Sequence, residues 1–101
     1  MMKVTVIYGH PKSVDDFEKY YKATHLPTAA KMKGVTRLEL TRFVPGPDGA
    51  KPAFYRMAEV YFPDQAQMQK SLQSPEGQAT VADLAKFATG GVTVMIGQVE
   101  S

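Results

Sequence analysis

Cysteine is absent from the 101-residue chain, which excludes a disulfide framework, a thiolate nucleophile and a cysteine-based zinc site. Charge of either sign is also sparse in runs. Twelve Lys and Arg are scattered among ten acids for a net charge of +2, so no block of like charge marks a nucleic-acid footprint, although the pI is near 8.9. Long apolar runs are missing too. The opening MMKVTVIYGHPK is too short for a membrane span or a signal-peptide core, and no small-residue cleavage pattern follows it. These absences set the expectation of a cytoplasmic protein with neither nucleic acid nor membrane as partner. GxGxxG, P-loop, GxSxG and HExxH patterns do not occur. The segment SPEGQAT has only the outline of a phosphate loop: its Ser-Pro-Glu is explained by helix capping, with Gly77 inside the first turn. The two histidines, His10 and His25, have no close spacing and no neighbouring carboxylate cluster. No metal and no cofactor are expected.

What is present is 44% hydrophobic residues, enough for one domain over residues 1–101. The densest Pro/Gly cluster, VPGPDGAKP, reads as a long hairpin loop and not as a linker. Lys3 to Gly9 is a β-rich run ending at Gly-His-Pro. Ser13, followed by Asp16, starts a helix that runs to about His25. Pro27 should push Leu26 out of the helical region and open a renewed turn that Gly34 ends. Residues 35–44 and 54–62 read as two strands of a hairpin. Asp64 caps a short helix carrying Met68 and Leu72. Ser74 caps another, with Val81, Leu84, Ala85 and Ala88 as its apolar stripe. Gly90-Gly91 stops that helix, and residues 92–99 form the last strand. The order β-α-β-β-α-β is the ferredoxin-like split βαβ of the α+β class: a four-stranded antiparallel sheet with its helices on one face.

Alternation assigns the strand residues to faces. Leu38, Leu40, Ala58 and Val60 suit the helix side. Arg37, Glu39, Thr41, Tyr55, Met57, Glu59 and Tyr61 are left for the other. That set is too aromatic for free solvent and too polar for a simple core, so a partner sheet enclosing a mixed cavity is expected, in a homodimer.

On a helical wheel Val14, Phe17, Tyr21 and Thr24 share a face, with His25 at its edge. A kink at Leu26-Pro27 would turn the imidazole toward the sheet. There it could transfer a proton or hydrogen-bond a carbonyl, or it could simply cap a helix C-terminus. His10 sits in a loop where such residues often have no role. Glu39 and Glu59 could face each other across the hairpin, one of them becoming an acid or base. A shifted register would instead pair Glu59 with Arg37. Tyr8, Tyr55 and Tyr61 could line a ligand pocket or pack a core.

The strand VTVIYGHP, the segment FEKYYKATHLPTAAKMKGV, the strand YRMAEVYF and the ending SPEGQATVADLAKFATGGVTVMIGQV together resemble the EthD family over nearly the whole chain. The specific marks are Tyr21, His25, Leu26 and Pro27 as Tyr-x-x-x-His-Leu-Pro, with Ser-Pro-Glu-Gly and Asp-Leu-x-x-Phe-x-x-Gly-Gly. The resemblance implies a dimeric α+β barrel with a cavity between sheet and helices. The family's named member is associated with ethyl tert-butyl ether degradation beside a cytochrome P450 system. Methylmuconolactone isomerases, monooxygenases of aromatic polyketides, and fungal dehydratases or decarboxylases share the wider group, so no single reaction is implied.

The functional expectation is a cofactor-independent protein of bacterial catabolism that binds and transforms a small, mostly apolar oxygenated molecule. His25 and Glu59 are its candidate catalytic residues, with Tyr8, Tyr21, Glu39 and Tyr61 as ligand-binding partners. The alternative is a non-catalytic binding or accessory protein working with an oxygenase system. That version is insensitive to pH across the range where an unperturbed histidine titrates.

Overall fold

The computed structural model describes residues 1–100. Strand β1 (Met2–Tyr8) alternates buried and half-buried side chains and leads into helix α1 (Val14–Tyr20), where the Ser13 hydroxyl accepts from the Asp16 N–H. A π-helical segment, Tyr21–His25, continues it without a break into the short helix α2 (Leu26–Ala29). Strands β2 (Arg37–Arg42) and β3 (Arg56–Phe62) are shorter than expected, which lengthens the loop between them. Helices α3 (Gln65–Gln73) and α4 (Pro75–Phe87) are capped by Asp64 and Ser74, and β4 (Val92–Gln98) closes the order. The sheet is four-stranded in the order β2-β3-β1-β4, with every neighbouring pair antiparallel. This is the ferredoxin-like arrangement of the α+β class.

The expected kink at Leu26 does not occur. Leu26 is helical at φ −62° and ψ −42°, and its N–H reaches back five residues to the Tyr21 carbonyl. The wide π turn absorbs the constraint, because Pro27 then sits in the first turn of α2, where its missing N–H breaks no bond. The turn also counteracts the drift that four-residue steps accumulate along an α-helix. Phe17, Tyr21 and His25 are therefore all buried, while Val14 and Thr24 of the expected face are exposed.

A second helix is rolled relative to expectation. The buried positions of α4 are Gly77, Asp83, Leu84 and Phe87, with Val81 exposed. Gly77 explains the roll: a Cβ there would stand 2.1 Å from the Ser71 carbonyl oxygen, so α4 approaches α3 closer than any side chain allows. Val4, Val6, Tyr8, Ala58 and Phe62 form the sheet side of the core, under Phe17, Tyr21, Met68, Leu84 and Phe87. The aromatic rings meet edge to face, Tyr8 to Phe17 at 5.3 Å and Phe17 to Phe87 at 5.1 Å.

The opposite face carries Lys3, Thr5, Ile7, Met57, Glu59, Tyr61, Glu39 and Thr41 in register. Tyr55, expected there, is on the helix side with its ring 5.2 Å from Phe17. It precedes the paired residues of β3, so strand alternation does not govern its direction. Among the described residues no helix is long and apolar enough to cross a membrane.

Candidate functional site

The π segment and α4 bring His25 and Asp83 together from opposite ends of the chain. His25 is 5% exposed and Asp83 7%, and the imidazole Nδ1 lies 2.9 Å from the carboxylate Oδ2. The other carboxylate oxygen accepts from the Tyr20 hydroxyl at 2.6 Å. Burial alone would raise the Asp83 pKa, but the bonds from Tyr20 and His25 outweigh it and hold the group below the ordinary carboxylate range. An ionised carboxylate only accepts, so Nδ1 is the donor. The neutral ring thus keeps its proton on Nδ1 and a lone pair on Nε2. Phe87 at 4.6 Å and Tyr21 at 5.7 Å, nearly parallel, hold the ring from its sides.

His25 lines a cavity of about 60 Å³ between the helices and the sheet. Its walls are otherwise mostly apolar, with Val6, Leu26, Phe62 and Leu84 among them, and the Tyr8 and Tyr21 rings beside His25. Leu38, Leu40, Val81 and Val94 line it while remaining substantially exposed, which marks its open side. Behind Asp83, Tyr20 also borders a separate surface groove of about 410 Å³ near Ser13, Lys86 and Thr89. The chain Tyr20–Asp83–His25 therefore runs from the groove to the cavity.

A charged cluster stands beside Tyr21. Glu18 accepts from the Tyr55 hydroxyl at 2.7 Å and from Arg56 at 3.1 Å, and pairs with Arg42 at 2.7 Å. Burial opposes its ionisation, and the hydrogen bonds from Tyr55 and Arg42, with the Arg56 charge, overcome it and lower its pKa. The Arg56 guanidinium lies 4.8 Å over the Tyr21 ring.

The structure separates the sequence-nominated residues into two groups. His25, Tyr8 and Tyr21 meet at the cavity. Glu59, Glu39 and Tyr61 point to the other face, because strand alternation puts them opposite Ala58, Val60 and Leu40, which line the cavity. Glu39 and Glu59 are direct cross-strand partners, yet each has its own cation. Lys3 donates to Glu59 at 2.6 Å, and Arg37 donates to Glu39. The Arg37–Glu59 pairing of the shifted register does not form. His10 Nε2 is 2.7 Å from the Pro52 carbonyl and ties two loops together.

A model of the EthD domain matches residues 10–91. The chain belongs to the EthD family. A curated relative, an uncharacterised 11.0 kDa protein of the thcB-thcC intergenic region of Rhodococcus erythropolis, is 36% identical over 94% of this chain and 91% of its own. The crystal structure of an EthD family protein from Bacillus halodurans is 34% identical, covers 99% of both chains and superposes with a TM-score of 0.92. SnoaB, a cofactor-independent oxygenase from Streptomyces nogalater crystallised as a point mutant, shares the fold at a TM-score of 0.65. It is 16% identical over 99% of this chain and 92% of that one.

The EthD-matched span contains Tyr20, His25 and Asp83. Sequence reasoning passed over Asp83 as a site residue, although it opens the Asp-Leu-x-x-Phe signature. The signal was an acid three residues after Thr80 and four before Phe87, on a stripe otherwise small or apolar. A carboxylate in such a stripe needs a buried partner. Glu18 was missed in the same way, one residue after the buried Phe17.

Proposed function

We propose that this EthD-family protein binds a small, mostly apolar oxygenated molecule in the helix-side cavity and transforms it by proton transfer through His25, without a cofactor. One observation carries the reading: His25, bonded to the buried Asp83, lies in the wall of a mostly apolar cavity whose other polar side chains are Tyr8, Tyr21 and Thr80. Asp83 fixes the tautomer and stabilises the imidazolium that forms when Nε2 takes a proton. Tyr20 holds the second carboxylate oxygen and so keeps Asp83 aimed at the ring. The apolar walls shed water from the ligand and strengthen each polar contact. The SnoaB description, a cofactor-independent oxygenase on the same fold, supports chemistry without a bound helper group.

The proposal leaves Glu59, Glu39 and Tyr61 outside the chemistry. They belong to the open sheet face, where Met95 is also exposed, and a second copy of the chain packing there completes a dimeric α+β barrel. Sedimentation should give a dimer, and Tyr61→Glu should shift it toward monomer.

The test of function is a panel of small ketones, esters, alcohols and ethers, followed by NMR for binding and conversion. Wild-type protein should bind and convert at least one compound, and His25→Ala should bind it without converting it. Undiminished conversion by His25→Ala would refute the proposal. Saturable binding with no conversion from about pH 5 to 8, across the ordinary histidine range, would favour the accessory role beside an oxygenase.

A further inference from the structure

Proton transfer through His25 leaves two buried phenols of the cavity wall unused. Tyr21 is 1% exposed and lines the cavity; its hydroxyl closes no hydrogen bond of full geometry, and its polar neighbour, the Arg56 guanidinium, can donate to the oxygen but cannot accept its hydrogen. Among the described residues the only other buried side-chain nitrogen or oxygen in that position is Arg56 Nε, in the guanidinium stacked on the Tyr21 ring. A buried hydroxyl whose hydrogen finds no acceptor is costly, so its presence calls for a reason. Tyr8, equally buried, stands with its ring 5.8 Å from Tyr21 and also lines the cavity. Burial raises the pKa of both phenols above the ordinary value, against the pull of the nearby Arg56 guanidinium. Both therefore stay protonated donors at any physiological pH. The Tyr21 ring is in turn 5.7 Å from the His25 ring. A base and a donor hydrogen without an acceptor thus share one mostly apolar wall.

The geometry points to an enolisation site, in which the substrate is a small carbonyl compound bearing hydrogen on the adjacent carbon. Its oxygen accepts from the Tyr21 hydroxyl, with Tyr8 as the second phenol beside it. His25 Nε2 removes a proton from the adjacent carbon. The C–H electron pair becomes the C=C bond of the enolate, and the carbonyl π pair moves onto oxygen, where the phenol donor holds it. The imidazolium returns its proton to the same carbon or to a conjugated one, giving exchange or isomerisation with no oxidant or reductant. A plain ether satisfies the donor but has no C–H that an imidazole can remove. This assignment rests on the proton-transfer reading of His25 and adds to it the class of substrate and the role of the phenols.

The experiment is hydrogen–deuterium exchange of cyclopentanone in deuterated buffer, followed by proton NMR of the adjacent CH₂ groups. Wild-type protein should accelerate exchange beyond an equal concentration of free imidazole, and His25→Ala should abolish the acceleration. Tyr21→Phe, which keeps the ring, should lower it by about 100-fold, in the range for loss of one oxyanion donor. Circular dichroism and the thermal midpoint establish that each variant is folded. Should Tyr21→Phe not fold, Tyr8→Phe carries the same test, with a loss of at least about 10-fold expected. Exchange lost in His25→Ala but unchanged in the folded phenol variants would overturn the carbonyl assignment and leave the base standing. Wild-type exchange no faster than imidazole would overturn it as well, while the ligand panel decides separately whether His25 transfers protons.

Discussion

On the helix side of the sheet, His25 in a mostly apolar cavity wall is bonded to the buried Asp83. On the open side, Glu39 and Glu59 stand directly opposite each other, and each is tied to a cation of its own. The same four strands build both faces. What differs is the partner. On the other face each carboxylate is paired with its own lysine or arginine, and Glu59, with 12% of its side chain exposed, lies where the proposed second copy would pack. Inside the cavity few polar groups exist, and each acts at low local dielectric, where one bond fixes a tautomer. Two facing carboxylates look like catalytic machinery in the sequence. In the folded molecule the acid bonded to the cavity histidine is the one alone on an apolar helix stripe.

The comparison breaks most visibly at Asp83. Asp83→Asn should lower conversion of any substrate by about 100-fold or more, because the amide can donate to Nδ1 and so favour the wrong tautomer. Binding should change little, which a titration of the same compound on both proteins checks. Stability should respond next. Phe62, fully buried under the helices, should lose about 3–5 kcal/mol on Phe62→Ala in urea denaturation, whereas Thr5→Ala on the open face should lose far less.

Acid denaturation sharpens the contrast further. The folded-state pKa values of Asp83 and Glu18 are both depressed, so each stabilises the fold above its unfolded value, near 4. That contribution is lost as pH falls through the depressed values. A thermal midpoint measured from pH 6 down to 2 should fall at the acid end, and Asp83→Asn should flatten part of that fall. The smallest effect belongs to the open face. Glu59→Gln, which breaks the pair with Lys3 on the face away from the cavity, should leave conversion within about twofold of wild type. A large loss of conversion would mean that the two faces act together.

Much of the fold is legible in the chain. Ser13, Asp64 and Ser74 mark helix starts that the structure confirms by their side-chain bonds. Alternation through Leu38, Leu40, Ala58 and Val60 also assigns the correct face. His25 and Tyr21 stand out through the Tyr-x-x-x-His-Leu-Pro signature, and both reach the cavity. The π turn is not legible, since Pro27 permits either a break or a wider turn and only packing against Phe87 and Tyr21 selects the second. The roll of α4 depends on how near Gly77 lets it come to α3, and this decides that Asp83 faces inward. Which face of the sheet encloses a cavity depends on how the helices stand over it, a distance that no periodicity records. Glu59 and Glu39 were nominated for want of that distance.

The most direct measurement is the ¹⁵N NMR spectrum of the His25 imidazole, with and without a bound ligand. With Asp83 ionised, the neutral ring should carry its proton on Nδ1, and ligand should move the Nε2 resonance while Nδ1 stays nearly fixed. Asp83→Asn should redistribute the proton between the two nitrogens. A neutral ring protonated on Nε2, with a resonance that no cavity ligand moves, would contradict the assignment of His25 as the group that meets the substrate.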